Sequence, residues 1–289
     1  MATVPVRRPG PWFTTWLLVG LPTLFLLIFF VAPTAYLFTA SVMVSDGMPL
    51  DAPSWENYQI LLGSSLYRTI ILRSFVVGIS VGLLVVALAY PVAYFLVRTT
   101  SRWKGLLIAV TLSPLLASVI VRTYGWYVIL NHDGALNGLL VAVGLADQPL
   151  RLLPSTPAII VGLAHALLPY GVLSIMSSLN GMNPSMERAA LSLGATRLRT
   201  FVRVTLPLTL PGVLGGFILA FSLAISAYAT PAILGGPSTE TMATMIRNLM
   251  IALLDWGLGS AMGVILLFST LLLLLAGALV DGRRGAAAA

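Results

Sequence analysis

Residues 256–280 read WGLGSAMGVILLFSTLLLLLAGALV, a run of 25 residues without a charged side chain. About 20 apolar residues in a helix cross the roughly 30 Å hydrocarbon core of a bilayer, so this run predicts a membrane-spanning helix. The whole chain of 289 residues has the same character, with 58% hydrophobic and 9% charged residues. An average soluble domain is about 25% charged. The composition therefore predicts a membrane protein and excludes a water-soluble globule.

Six segments of this kind occur, and the alternation typical of membrane strands does not. The fold class is therefore predicted to be all-α, a polytopic membrane protein with six transmembrane helices. We divide the chain into an N-terminal segment at 1–15, a transmembrane domain at 16–280 that includes a polar loop at 180–207, and a tail at 281–289, which we expect to be disordered from residue 282. The predicted spans are Trp16–Phe38, Ser74–Val97, Gly105–Leu130, Thr156–Leu179, Thr209–Leu234 and Trp256–Val280.

The charges are distributed unequally between the two sides of these spans. The two termini and the loops after the second and fourth spans hold eleven basic and two acidic residues, whereas the other loops and the third span hold five basic and seven acidic ones. Because cytoplasmic loops are enriched in Lys and Arg, both termini and the loop at 180–207 are predicted to be cytoplasmic. The eleven basic residues are Arg7, Arg8, Arg98, Arg102, Lys104, Arg188, Arg197, Arg199, Arg203, Arg283 and Arg284.

The residue types that are missing exclude several kinds of chemistry. A phosphate-binding P-loop needs a lysine after a glycine-rich turn, and the single lysine, Lys104, follows Trp103. There is no cysteine, and His132 and His165 lack the nearby partners that a metal site requires. The chain also lacks a stripe of basic residues interleaved with aromatic ones, which is the pattern that indicates nucleic-acid binding. We therefore predict no catalytic residue, no metal and no cofactor in this chain.

The most specific segment is the polar loop, where residues 183–207 read NPSMERAALSLGATRLRTFVRVTLP. The pattern predicts a short helix after Pro184, a turn at Gly194 and a basic amphipathic helix that Pro207 closes. Such a loop suits docking onto a cytoplasmic protein partner. The alternative is a helix that lies on the anionic inner leaflet, which Arg197, Arg199 and Arg203 would serve equally well.

The spacing in this loop resembles the coupling-loop motif of the membrane subunits of binding-protein-dependent ABC importers. That motif is Glu-Ala-Ala-x3-Gly-x9-Ile-x-Leu-Pro, and the chain has Ala189-Ala190, Gly194, Val204, Leu206 and Pro207 at the corresponding positions. Arg188 stands at the motif's Glu position, and the carboxylate lies one residue earlier, at Glu187. Other segments across residues 50–265 are similar to the spermidine/putrescine-type branch of these permeases, namely Trp55–Tyr58, Val121–Trp126, Leu168–Tyr170 and Pro231–Gly236.

The resemblance implies a type I ABC importer permease fold and a non-catalytic transport subunit in the bacterial inner membrane. Its partners would be a dimer of cytoplasmic ATPase subunits that binds ATP and Mg, a second permease subunit, an extracytoplasmic solute-binding protein and membrane lipid. Leu206 and Pro207 would set the start of the fifth span. The residues that the resemblance assigns to the ATPase contact are Glu187, Arg188, Ala189, Ala190 and Gly194.

The resemblance further implies that the substrate is a polyamine or a related small organic cation. An amino acid, quaternary amine, opine or organic anion carried by the same machinery is the alternative. A further alternative is a self-sufficient secondary carrier. The absence of Asp and Glu from all six predicted spans disfavours such a carrier.

The candidate substrate path or gate lies near the outer ends of the third and fifth spans. Arg122, Tyr124, Trp126 and Tyr127 place one cation among three aromatic rings, and Tyr228 precedes a predicted break at Thr230–Pro231. The alternative for Arg122 is that it reaches the outer interface beside an aromatic belt. Two acids of the outer loops, Glu240 and Asp255, are candidates for receiving a cation or are simply solvated.

Overall fold

The computed structural model describes residues 11–43 and 53–287. Within these ranges the chain is helical and contains no strand, which confirms the all-α prediction. The expectations for Arg7, Arg8, Asp46 and Asp51, and for the rest of 1–10, 44–52 and 288–289, lie outside the described residues.

Fourteen α-helices are described, and short π or 3-10 segments extend several of them. The π segments are Leu27–Val31, Phe201–Thr205 and Asn248–Ala252, and the 3-10 turn is Pro237–Thr239. The helices are α1 (Pro11–Leu26), α2 (Ala32–Ser41), α3 (Glu56–Gly63), α4 (Ser65–Arg98), α5 (Lys104–Leu116), α6 (Val119–Leu130), α7 (Ala135–Ala142), α8 (Thr156–Gly181), α9 (Ser185–Ser192), α10 (Arg197–Thr200), α11 (Leu206–Ile225), α12 (Ala229–Leu234), α13 (Met242–Arg247) and α14 (Trp256–Ala287).

Five helical segments of the described chain are long and apolar enough to cross a membrane. A sixth crossing is obtained when the pair Lys104–Leu116 and Val119–Ala142, bent by 100°, is counted as one span. The six predicted spans agree with the structure on that count. The five continuous segments are Leu18–Ser41, Ser65–Arg98, Thr156–Gly181, Arg197–Ile225 and Trp256–Leu275.

The third predicted span, Gly105–Leu130, is wrong as a continuous helix. It breaks at Ala117 and Ser118, whose backbones are extended, between α5 and α6. Pro114 lies in the last turn of α5, where its ring and missing N–H weaken the helix. The break frees carbonyl groups of α5, and the guanidinium of Arg122 turns back to donate a hydrogen bond to the carbonyl oxygen of Pro114.

The fifth predicted span, Thr209–Leu234, is wrong at both ends. The helix begins at Arg197 and ends at Ile225, and α12 follows as a separate short helix. The break comprises residues 226–228 and therefore includes Tyr228, rather than lying at Thr230–Pro231. Ser226 supports the end of α11 because its hydroxyl donates to the carbonyl oxygen of Ser222 at 2.8 Å.

The prediction that Pro207 closes the basic helix is also wrong. Pro207 lies two residues after the π segment Phe201–Thr205, inside one continuous helix. Pro33 stands in the same relation to the π segment Leu27–Val31. The wider π turn accommodates the ring and the missing N–H that would otherwise break an α-helix.

The prediction that the tail is disordered is wrong for residues 282–287. These residues continue α14 as helix up to Ala287. Four of these six residues are good helix formers, namely Arg283, Arg284, Ala286 and Ala287, and they outweigh the other two, which are glycines.

The core is a three-helix unit of α4, α8 and α11, which pack extensively against one another. Glycine permits the close approach: a Cβ at position 171 would lie 2.6 Å from Cγ1 of Val85, and one at position 216 would lie 3.2 Å from Cα of Gly171. Small residues at helix crossings are how helices pack tightly in lipid. One buried polar pair joins α4 to α11, where the hydroxyl oxygens of Tyr90 and Thr209 are 2.8 Å apart.

We predict that Gly171→Val destabilises the three-helix unit. A side chain there overlaps Val85, and overpacking of this kind costs about 1–3 kcal/mol. Gly20→Val is the matched control, because a Cβ at Gly20 meets nothing within 4 Å. Thermal unfolding of the purified chain in detergent checks the pair, and equal stability of the two variants would contradict the packing argument.

Candidate translocation groove and coupling surface

Four open cavities lie beside α6, α8, α11 and the segment that follows α11. We name them the distal cavity (about 260 Å³), the central cavity (about 480 Å³), the lateral cavity (about 410 Å³) and the proximal cavity (about 470 Å³). Tyr228 lines both the distal and the central cavity, Arg122 the central and the lateral, and Tyr170 the central and the proximal. Each cavity therefore has a neighbour with which it shares a side chain, and we call the four together the groove.

The distal cavity carries most of the charge in this groove. Glu240 is the one acid among the described residues that line the four cavities, and Nδ2 of Asn248 donates to its Oε1 at 2.7 Å. Arg73 donates to the backbone oxygen of Glu240 at 3.2 Å, which fixes this turn to α4. The guanidinium of Arg247 lies 5.6 Å from the ring centre of Tyr228 and closes one side of the cavity.

The central cavity lies at the two helix breaks. Pro114 and Ala117 line it from the first break, and Tyr228 and Thr230 line it from the second. The hydroxyl oxygens of Thr123 and Thr230 are 3.1 Å apart, so the two broken regions are held together. Arg122 is the one ionised side chain among its lining residues in the described chain.

The proximal cavity is lined by hydroxyl groups from one face of α8. Ser174, Ser177 and Ser178 lie there with Tyr170, opposite Gly212 of α11. The hydroxyl of Ser174 donates to the carbonyl oxygen of Gly212 at 2.8 Å, leaving Ser177 exposed to the groove. Sequence reasoning missed these serines, although their spacing of three and four residues places them on one helix face.

The structure separates the residues that were predicted for the path. Arg122 and Tyr228 line the groove, and Trp126 lines the lateral cavity, where its Nε1 donates to Nδ1 of His165 at 3.2 Å. Tyr124 and Tyr127 line none of these cavities. Their rings pack against each other at 6.1 Å on the exposed side of α6.

The polar loop folds as a helix, a turn and a second helix, as predicted. The helix α9 ends in a Schellman turn, in which the N–H of Ala195 donates to the oxygen of Ala190 at 3.1 Å. Gly194 occupies the left-handed position of this turn with φ of +84°. Thr196 then begins the next helix, and its hydroxyl accepts from the N–H of Arg199.

The predicted coupling residues divide into an exposed and an inward set. Arg188, Ala189 and Gly194 are exposed, and Ala190 is half-buried. Glu187 points inward, and its Oε2 lies 2.8 Å from Nη2 of Arg98. Leu206 and Pro207 were expected at the start of the fifth span. They lie instead inside the continuous helical segment Arg197–Ile225.

The segment Trp55–Tyr58, one of those that resemble the permease branch, has a packing role in this structure. Asn57 is buried at the start of α3, and its Nδ2 donates to the backbone oxygens of Ser41 and Met43 at 3.1 and 2.7 Å. The hydroxyl of Tyr58 donates to Oγ of Ser41 at 2.9 Å. These contacts attach α3 to the end of α2.

No group of three or more His, Cys, Asp or Glu side chains that could hold a metal ion occurs in the described ranges.

No protein-family model matches the chain. It is 29% identical over 211 residues to the spermidine/putrescine transport system permease protein PotB of Escherichia coli, covering 73% of this chain and 76% of that protein. PotB of Haemophilus influenzae is 28% identical over 241 residues, with 82% and 84% covered.

The fold is similar to that of a chain in a solved structure. That crystal structure is of the bacterial alginate ABC transporter in complex with an alginate pentasaccharide-bound periplasmic protein. The TM-score is 0.75 at 18% identity, and the match covers 93% of this chain and 95% of the other. Relatives in sequence and neighbours in fold agree with the motif in the polar loop. The chain is therefore similar, in sequence and in fold, to the permease subunits of ABC importers, the spermidine/putrescine permeases among them.

Proposed function

We propose that this permease subunit supplies half of the translocation path of an ATP-driven importer for a polyamine or a related small organic cation. The observation that carries the proposal is the groove, a set of four neighbouring cavities that are each open on one side. An open groove needs a second permease subunit to close it. ATP and Mg belong to a dimer of cytoplasmic ATPase subunits, because this chain has no lysine in a phosphate-binding context.

The end of the molecule that carries α9 is proposed to be cytoplasmic. Exposed basic residues collect there, and Arg98 at the end of α4 contacts the polar loop directly. By the positive-inside rule, this end and both termini face the cytoplasm. A solute-binding protein would then deliver substrate to the distal cavity on the opposite side. The exposed basic residues at this end include Arg102, Arg188, Arg197, Arg199 and Arg203.

The exposed side of α9 is proposed to be the ATPase contact. Ala189 and Ala190 present small side chains, so that the helix can lie deep in a groove of a partner. Arg188 adds a positive charge where the family motif has a carboxylate. When ATP closes the ATPase dimer, α9 would be carried along, and the two permeases would rock between inward-open and outward-open states.

The distal cavity offers a polyamine one carboxylate, that of Glu240, beside the guanidinium of Arg247. The Glu240 carboxylate attracts an ammonium group, and the Tyr228 and Tyr170 rings offer cation–π contacts further along the groove. The names of the sequence relatives support the same substrate class. A carboxylated solute is the second candidate, because Arg122 is the ionised side chain at the central cavity.

An uptake assay tests the proposed function. The chain is co-expressed with its second permease and ATPase, reconstituted in proteoliposomes with the solute-binding protein, and supplied with ATP. We expect ATP-dependent accumulation of labelled putrescine or spermidine inside the proteoliposomes. Labelled amino acids, quaternary amines and organic anions are expected not to accumulate. Accumulation of an organic anion alone would overturn the polyamine assignment in favour of the second candidate.

We predict that Glu240→Gln weakens uptake of a dication. Glutamine keeps the oxygen that accepts from Asn248, so the turn is preserved while the charge is lost. We expect the apparent KM to rise roughly two- to fivefold, the size of a partly solvated ion pair. The exposed acid Asp147 provides the control Asp147→Asn, and an equal rise in that variant would point to bulk surface charge instead.

We predict that Gly194→Val impairs ATPase docking. The residue needs a left-handed backbone, and a side chain there costs about 1–2 kcal/mol, which corresponds to roughly five- to thirtyfold weaker binding. Gly194→Asn should retain most binding, because Asn tolerates this conformation. ATPase co-purification measures the difference.

Gly144→Val is the matched control for that variant. Gly144 has φ of +72° and, like Gly194, open space around its Cβ position. It lies after α7, away from the polar loop. If Gly144→Val weakened docking as much as Gly194→Val, the effect would come from general strain and α9 would not be the contact.

A further inference from the structure

We infer that Arg98, Glu187 and Thr205 form a clamp that fixes α9 to the membrane-spanning helices, and that Glu187 is a positioning residue rather than an ATPase contact. The inference rests on the proposed function, because it concerns how a movement of α9 reaches the groove.

The clamp joins three elements through one carboxylate. Oε2 of Glu187 lies 2.8 Å from Nη2 of Arg98, the last residue of α4. The hydroxyl of Thr205, in the π segment before α11, donates to Oε1 of the same carboxylate at 2.8 Å. Both oxygens of Glu187 therefore have a partner within the chain, Oε1 through a hydrogen bond and Oε2 through an ion pair.

The surroundings strengthen the ion pair beyond that of a surface salt bridge. The Arg98 side chain is 26% exposed and that of Glu187 15%, so water screens the pair only partly. Glu187 lies in the first turn of α9 and Arg98 in the last turn of α4, the helix ends that favour a negative and a positive charge respectively. The guanidinium of Arg98 also lies 5.8 Å from the ring centre of Tyr94.

The clamp continues into the core as a row of contacts. Tyr90, Tyr94 and Arg98 are spaced four residues apart on one face of α4. The ring of Phe201 packs edge-on against Tyr90 and Tyr94 at 5.3 and 6.1 Å. Tyr90 in turn contacts Thr209 of α11. A displacement of α9 therefore acts on α4 and α11 together, the helices that line or support the groove.

Arg188 is the neighbour that remains free to meet a partner. It follows Glu187 directly, and consecutive residues on a helix face different directions. Arg188 is exposed whereas Glu187 is not. The substitution in the motif thus separates two roles: the carboxylate holds the helix in place, and the arginine is presented to the ATPase.

The first test uses the purified chain alone and does not depend on any partner. The chain has no cysteine, so spin labels can be attached at Phe95→Cys in α4 and Leu193→Cys at the end of α9, both exposed positions. We expect one narrow distance distribution in this background and a broader one when Glu187→Gln is added. Arg102→Gln, which removes an exposed charge at the same end, should leave the distribution narrow. An unchanged distribution in Glu187→Gln would overturn the clamp.

The second test measures coupling in the assembled importer. We expect Glu187→Gln and Arg98→Met to retain the ATPase on co-purification while substrate uptake per ATP hydrolysed falls roughly tenfold, as for loss of a partly desolvated ion pair. The double exchange Arg98→Glu with Glu187→Arg should recover part of the loss, whereas Arg102→Gln should behave as wild type. Loss of ATPase binding in Glu187→Gln, with Arg188→Gln retaining it, would show that Glu187 is the contact and overturn the inference.

The two proposals fail in different ways. If the wild-type complex shows no ATP-dependent uptake, the proposed function fails, and the distance measurement on the chain alone still decides whether Glu187 holds α9. If the wild type transports and Glu187→Gln transports equally well per ATP, the clamp fails and the proposed function stands.

Discussion

An unpaired backbone amide or carbonyl in hydrocarbon costs several kcal/mol, and this constraint governs where the chain departs from straight helix. Each departure in the membrane-length helices has a device that meets the cost. Arg122 satisfies Pro114 at the first break, and Ser226 satisfies Ser222 at the second. The π segments absorb Pro33 and Pro207 without a break.

The same breaks create the groove. Residues from both breaks line the central cavity, and the hydrogen bond between Thr123 and Thr230 ties the two broken regions to each other. Irregular backbone and polar side chains thereby lie beside a cavity. A path for a polar solute requires that arrangement, since irregular backbone in a membrane is tolerated where it lines a cavity.

The sequence predicts the helices well where a long apolar run stands alone, as in residues 256–280. The prediction of helix ends from sequence fails where a proline that would stop a helix meets packing that lets the helix continue. Pro207 has the pattern of a helix stop, yet a π turn upstream lets the helix continue, and Phe201 of that turn packs against Tyr90 of another helix, α4. The orientation of Glu187 was beyond prediction for a similar reason, because its partner Arg98 belongs to another helix. Tyr170 belongs to one of the segments that carry the family resemblance, but only the fold shows that it lines two cavities.

A rigid core makes mechanical coupling effective in a chain of this size. The glycine contacts between α4, α8 and α11 leave no room for these helices to slide independently, because Gly216 lies against Gly171 and Gly171 against Val85. Packed interiors deform little and transmit strain. A movement applied at one end of such a unit therefore appears at the other end, where the distal cavity lies. Flexible helices would dissipate it, so tight packing in the core and firm attachment of α9 are two requirements of the same mechanism.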